Sequence, residues 1–190
     1  MMRAATLLGL SGSLRAGSYS TGILRTLQER QPGHVELKVH DLGGVPLYNQ
    51  DLDTASPPAE VAALRSAIAA ADGLVIVTPE FNYGMPGVLK NALDWASRPY
   101  GTASLMGKPV VTMSSSPAFT GGVRALSQLH DTLLAAQSLI VPRPQTVIGD
   151  VYKKFADGRL VDLPTLEFAL QAVADLRNAI GATGIRDLAA

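Results

Sequence analysis

Three times along the chain an unbroken apolar run of strand length empties into a polar loop and is then followed by a helical pattern: Thr6–Leu10 (TLLGL), Gly73–Thr78 (GLVIVT) and Pro109–Met113 (PVVTM). A run without polar alternation suits a strand buried on both faces, and strands that alternate with helices imply a parallel sheet covered on both sides through right-handed crossovers. In such sheets a ligand sits beyond the carboxyl ends of the strands, where the strand order reverses. The loops after these three runs are therefore the places to look for chemistry.

The intervening segments complete the pattern. Ile23, Leu24 and Leu27 mark a first helix, stopped by Gln31, Pro32 and Gly33. Val35, Leu37 and Val39 alternate with Glu36, Lys38 and His40, which predicts an amphipathic strand near a sheet edge. Asp41–Pro58 is a long connection of the kind that is usually functional, and its centre, Pro46–Asp51, is placed to line a site or a subunit contact. Val61, Leu64 and Ile68 predict a helix from about Pro58, and Val88, Leu89, Ala92, Leu93 and Trp95 another that ends before Pro99. A further helix spans Val123–Gln137, a fifth strand is assembled from Ser138–Val141 and Thr146–Ile148 around Pro142 and Pro144, and Leu166–Ile180 closes the chain. At 190 residues, with no internal repeat, one domain over 1–190 is expected.

The first loop, Ser11–Ser20 (SGSLRAGSYS), has the outline of a phosphate site. The first N–H groups of a helix lack intrahelical partners and carry the positive end of its dipole, so they suit an anion. Ser11, Ser13, Ser18 and Ser20 can add hydroxyl donors, and Arg15 a planar cation matched to phosphate oxygens. The plainer alternative is that Ser18 or Ser20 caps the helix and Arg15 is solvated. Neighbouring motifs fail on spacing. Gly9–Ser13 lacks the last glycine of a nucleophile elbow, no G-x-G-x-x-G follows the strand, and Gly101–Pro109 has Pro where a P-loop needs Ser or Thr. The second loop, Pro79–Gly87 (PEFNYGMPG), offers flat surface on Phe81 and Tyr83, a donor and acceptor on Asn82, and close backbone approach at Gly84. Its alternative is that both aromatics belong to the core. The third polar loop is Ser114–Gly122.

Composition narrows the chemistry. Sixteen basic residues balance sixteen acidic ones, so no strong field points to nucleic acid, an anionic membrane or a charged docking partner. There are no cysteines, which excludes disulfides, thiolate metal sites and Cys nucleophiles and fits a cytoplasmic protein. The opening residues are too short in their apolar part for a signal peptide, and no apolar run is long enough to span a bilayer. His34, His40 and His130 lack metal-ligand spacing, and Asp51 and Asp53 suit a solvated loop better than a metal. Lys90, Asn91 and Asp94 suit surface or capping roles on their helix, and Trp95 the core or a subunit contact.

Taken together, GSLRAGSYS at Gly12–Ser20, TPEFNYGMPGVLKNALDWAS at Thr78–Ser97 and the Gly-Gly-x-Arg of Gly121–Arg124 resemble the NADPH-dependent FMN reductase family, which includes bacterial chromate, quinone and azo-compound reductases. The resemblance implies an α/β, flavodoxin-like three-layer sandwich with a five-stranded parallel sheet in the order 2-1-3-4-5. It implies bound FMN, NADPH or NADH as electron donor, and a small-molecule acceptor such as a quinone, azo compound, nitroaromatic or chromate. Carried over by residue, Ser11, Ser13, Arg15, Ser18 and Ser20 would hold the FMN phosphate, Ser20 standing where the family often has the longer Asn. Pro79, Glu80, Phe81, Asn82, Tyr83 and Gly84 would lie along the isoalloxazine, with Ser114, Ser115 and Gly121 on the other side. The flavin carries the chemistry, so no catalytic acid, base or metal is expected from the protein, and kinetics should be ping-pong. Family members form dimers, some paired into tetramers. Here the loop Leu42–Pro57 and the helix Val88–Trp95 are the expected contact surfaces, while Ser127 and Gln145 replace the Tyr and Glu of one tetramer network built on the position of Arg124. The competing expectation is a flavodoxin-like electron carrier that takes electrons from a protein partner.

Overall fold

A computed structural model describes residues 4–182. Parallel strands β1 (Ala5–Ser11), β2 (Val35–His40), β3 (Gly73–Thr78) and β4 (Pro109–Ser115) lie in the order β2-β1-β3-β4, with β2 at the edge as its alternation requires. The fifth position is shared by two short strands: β5 (Leu139–Ile140) pairs with Pro109–Val110, and β6 (Thr146–Ile148) with Met113–Ser115. The two prolines between them remove ladder donors, so the strand splits and resumes further along β4.

Alternation along the buried strands builds two cores. On one face Leu7, Val75, Val77, Val111 and Met113 pack against α1 (Tyr19–Arg30) and α5 (Leu163–Ala182). On the other Leu8, Leu10, Leu74, Ile76 and Val110 pack against α2 (Ala59–Ala70), α3 (Gly87–Ala96) and α4 (Val123–Ala135). Gly9 breaks the apolar run of β1 because α1 crosses close there; a Cβ would stand 3.1 Å from Leu24. Helix α5 starts ahead of its first buried apolar residue, Leu166, because the Asp162 carboxylate accepts from the N–H and hydroxyl of Thr165, and Pro164 is tolerated in a first turn.

An antiparallel hairpin, β7 (Phe155–Ala156) and β8 (Arg159–Leu160), was not expected from the pattern. Its turn residues Asp157 and Gly158 have φ of 47° and 73°, the geometry that Asp-Gly favours in two-residue hairpins. The hairpin straps α1: Phe155 lies over Gly22, where a Cβ would meet the ring at 2.6 Å, and the Leu160 N–H donates to Thr26 at 3.1 Å.

Candidate functional site

The carboxyl ends of β1, β3 and β4 bring the three expected loops to one edge. Ser11 ends β1, the Gly12 N–H donates to the Val77 carbonyl at 2.8 Å, and Thr78 faces Ser114 in register. Ser114 and Ser115 are not in the third loop but close β4. Pairing with β3 on one side and β6 on the other extends the ladder through them, and both are buried.

In the first loop, Ser18 caps α1 by accepting from the Thr21 N–H at 3.2 Å, and the Ser11 hydroxyl lies 2.8 Å from that of Thr21. Ser20 is buried, its hydroxyl 3.1 Å from that of Ser115, so these two expected site residues meet each other. Ser13 is half-buried. Arg15 is exposed, forms no ion pair among the described residues and lies 5.6 Å from the Tyr19 ring. The N–H groups of Tyr19 and Ser20, at the start of α1, have no partner among the described residues.

The second loop is a tight turn. Phe81 and Gly84 exchange backbone hydrogen bonds of 3.0 and 2.9 Å, while Asn82 and Tyr83 sit at φ of 48° and 65°. A tyrosine at positive φ is uncommon, and such strain persists only where the surroundings hold it. Here the Arg124 guanidinium stacks on the Tyr83 ring at 4.2 Å, and the Gln128 Oε1 accepts from the Met85 N–H at 2.7 Å. The core alternative for the two aromatics fails, since Phe81 and Tyr83 are 62% and 72% exposed. Glu80 turns inward. Its carboxylate accepts from the N–H groups of Arg124 and Ala125 at 2.9 and 3.1 Å, capping α4, whose own N-cap Gly122 has no side chain to do so. Glu80 is thus committed to the α4 terminus, and the loop can offer a ligand only its backbone here.

The third loop is pressed down by Gly121 and Gly149. A Cβ on Gly121 would stand 2.4 Å from Val147, and one on Gly149 would stand 2.3 Å from the Phe119 carbonyl. This holds the Phe119 ring outward, 84% exposed. Phe119 was missed in sequence, as nothing distinguishes an exposed loop aromatic from a buried one.

Asn91 and Trp95 act as struts. The Asn91 amide and the Trp95 indole N–H both donate to the Pro46 carbonyl at 2.8 Å, and Asn91 Oδ1 accepts from the Tyr48 N–H at 2.7 Å. Arg65 adds a half-buried ion pair to Asp53 at 2.8 Å. The long connection is thereby tied down. Of the apolar residues of α3, Leu89, Leu93 and Trp95 are buried within the chain and Val88 is partly buried.

Residues 5–153 match the family model described as NADPH-dependent FMN reductase. The chain belongs to the NADPH-dependent FMN reductase family. It is 39% identical over 171 residues to an NAD(P)H-dependent FMN reductase of Pseudomonas aeruginosa, covering 90% of this chain and 92% of that one. It is 40% identical over 166 residues to a 2-hydroxy-1,4-benzoquinone reductase of a Burkholderia species, covering 86% of this chain and 89% of the other. Among solved structures, the flavoenzyme NAD(P)H:acceptor oxidoreductase of Paracoccus denitrificans superposes with a TM-score of 0.82 at 32% identity, over 91% of this chain and 96% of that one. An azoreductase structure at 17% identity and a TM-score of 0.61, covering 91% and 100%, shares the fold.

As a member of the NADPH-dependent FMN reductase family the chain is an oxidoreductase with a flavodoxin-like fold and FMN as its cofactor. The donors at its sheet edge fit that group. Arg15 and the two open N–H groups suit a phosphate. Ser114 Oγ is buried with no hydrogen-bond partner among the described residues, an orphan that a polar ligand would satisfy. The floor is bare backbone: a Cβ on Gly12 would meet Pro79 at 3.0 Å, and one on Gly122 would meet Ser114 at 3.3 Å.

Proposed function

We propose that this chain is an FMN-dependent NAD(P)H oxidoreductase that passes reducing equivalents to small acceptors, quinones foremost, by a ping-pong mechanism. The observation that supports it most directly is the convergence at one edge of an unpaired arginine, an open helix N-terminus, an orphaned buried hydroxyl and exposed aromatic loops. The printed activities of the relatives, FMN reductase and quinone reductase, point the same way.

In this reading Arg15, Ser13, Ser18 and the N–H groups of Tyr19 and Ser20 hold the FMN phosphate, with Ser11 behind them. Ser20 and Ser115 support from beneath, their hydroxyls hydrogen-bonded to each other with one O–H left to donate. Pro79, Phe81, Asn82, Tyr83 and Gly84 border the ring through backbone groups and flat side chains, opposite Ser114 and Gly121. When bound, FMN supplies the two-electron chemistry that links a nicotinamide donor to an acceptor. The protein need only leave one ring face open for donor and acceptor in turn, and Phe81, Tyr83 and Phe119 would shield that mouth from water. The electron-carrier alternative calls for a charged docking face, which a balance of sixteen cations and sixteen anions does not favour.

The test is a visible spectrum of the protein reconstituted with FMN, desalted and mixed anaerobically with NADPH or NADH. Retained colour that bleaches with either donor and returns on adding a quinone is the expected result. Loss of colour on desalting would overturn the flavin assignment, and colour that neither nucleotide bleaches would favour the carrier. In the same assay Arg15→Ala should weaken FMN binding by about 1.5–3 kcal/mol, the worth of a charged hydrogen bond.

A further inference from the structure

On α1, Arg25 stands one turn before Glu29, the spacing at which an arginine commonly finds a carboxylate on its own helix. That carboxylate is taken. Arg159 of the hairpin holds Glu29 through Nε, at 3.0 and 2.9 Å from its two oxygens, and through Nη2. Arg25 makes no hydrogen bond and no ion pair among the described residues, and Glu29 acts on it only as a nearby charge. It lines two cavities that flank the start of α1.

The two cavities differ in chemistry. One, of about 590 Å³, opens between the first loop and the end of β2 and includes Arg15, His40 and Asp41. The other, of about 450 Å³, opens between Ala16–Tyr19 and the hairpin, where Tyr19, Tyr152 and Phe155 give it aromatic walls. Its carboxylate, Asp157, belongs to the exposed hairpin turn, whereas Asp41 follows β2 directly and already accepts from the Gly43 N–H at 2.9 Å. Flat aromatic surface beside an arginine whose N–H groups carry no hydrogen bond suits a nucleoside carrying a phosphate.

This bears on the electron donor, and it rests on the function proposed above. A dinucleotide whose nicotinamide meets the flavin carries a second nucleoside, and a cavity that borders the phosphate loop through Ala16–Tyr19 is a place to hold it. The hairpin cavity is that one, with about 450 Å³ and three aromatic side chains. We propose that Arg25 reads the 2′-phosphate of NADPH, with the adenine lodged between α1 and the hairpin against Tyr152. NADH lacks that phosphate, so Arg25 sets the preference for NADPH.

The experiment uses the FMN-loaded protein, its flavin content read first from the spectrum. Calorimetric titration with 2′,5′-ADP and with 5′-AMP is paired with KM values for NADPH and NADH in the wild type, Arg25→Gln and Tyr152→Ala. The wild type should bind 2′,5′-ADP about tenfold to a hundredfold tighter than 5′-AMP, the range of a charged hydrogen bond. Arg25→Gln should erase that difference and raise the KM for NADPH by a similar factor, moving that for NADH less than about twofold. Tyr152→Ala should weaken both nucleotides together. A wild type without the preference, or an Arg25→Gln variant that keeps it, overturns the assignment of Arg25. A Tyr152→Ala variant that binds both unchanged overturns the placement of the adenine. A protein that never retains flavin refutes the proposed function instead, so the two failures are told apart.

Discussion

His130 on α4 reaches the sheet, its Nε2 2.7 Å from the Thr112 hydroxyl on β4. Burial is the main cause that lowers its pKa below the ordinary 6.5, with Asp131 pulling weakly the other way. A depressed folded value means that the neutral ring belongs to the folded state. Its contribution is complete above about pH 6.5 and is lost as pH falls toward the folded value. Burial lowers His40 in the same direction, so a variant is needed to separate them. Thermal unfolding of the wild type and His130→Gln at pH 7.5 and 5.5 should show a smaller acid-induced drop in Tm for the variant; equal drops would mean that His130 does not titrate with folding. At this scale the sequence names the residues that the structure gathers at one sheet edge, but not their postures. Nothing in Pro79–Gly84 announces that Tyr83 adopts a positive φ, because the partner that holds it, Arg124, comes from the first turn of α4, far along the chain. The same distance hid the pairing of Ser20 with Ser115.

Between elements, the decisive contact is the cap that Glu80 places on α4 from the loop after β3. Capping from outside the helix ties the loop and the helix into one unit, so losing the carboxylate should be felt by both. Glu80→Ala is expected to cost about 1–2 kcal/mol of stability, the usual worth of an N-cap, read from urea unfolding. A variant with unchanged stability would show that water replaces the cap at no cost. Strand and helix order could be read from the sequence because buried parallel strands leave unmistakable apolar runs. The split fifth strand, β5 and β6, was legible too, from the prolines between its halves. What escaped was the β7–β8 hairpin, which exists because α1 offers Gly22 as a seat. Asp157-Gly158 was the available signal, but two-residue strands on either side gave it no alternation to stand beside.

For the molecule as a whole, the large exposed side chains are concentrated in loops. Leu47 is 83% exposed, Tyr100 84% and Phe119 84%, while the long connection that carries Leu47 is fastened to α3 by Asn91 and Trp95. Fixed loops that present bulky side chains suit a partner surface, and a homodimer is the expected assembly. Light scattering at micromolar concentration should give twice the mass of 19.9 kDa, and a monomer would count against it. The position of α5 has a separate consequence. The family model ends at residue 153, yet Leu166, Ala169, Val173 and Leu176 complete the core on the α1 face of the sheet. The stretch that carries the family likeness is therefore not a module. It cannot be excised, grafted or exchanged between relatives by itself, because the segment beyond the family model's end closes the interior on which the rest depends.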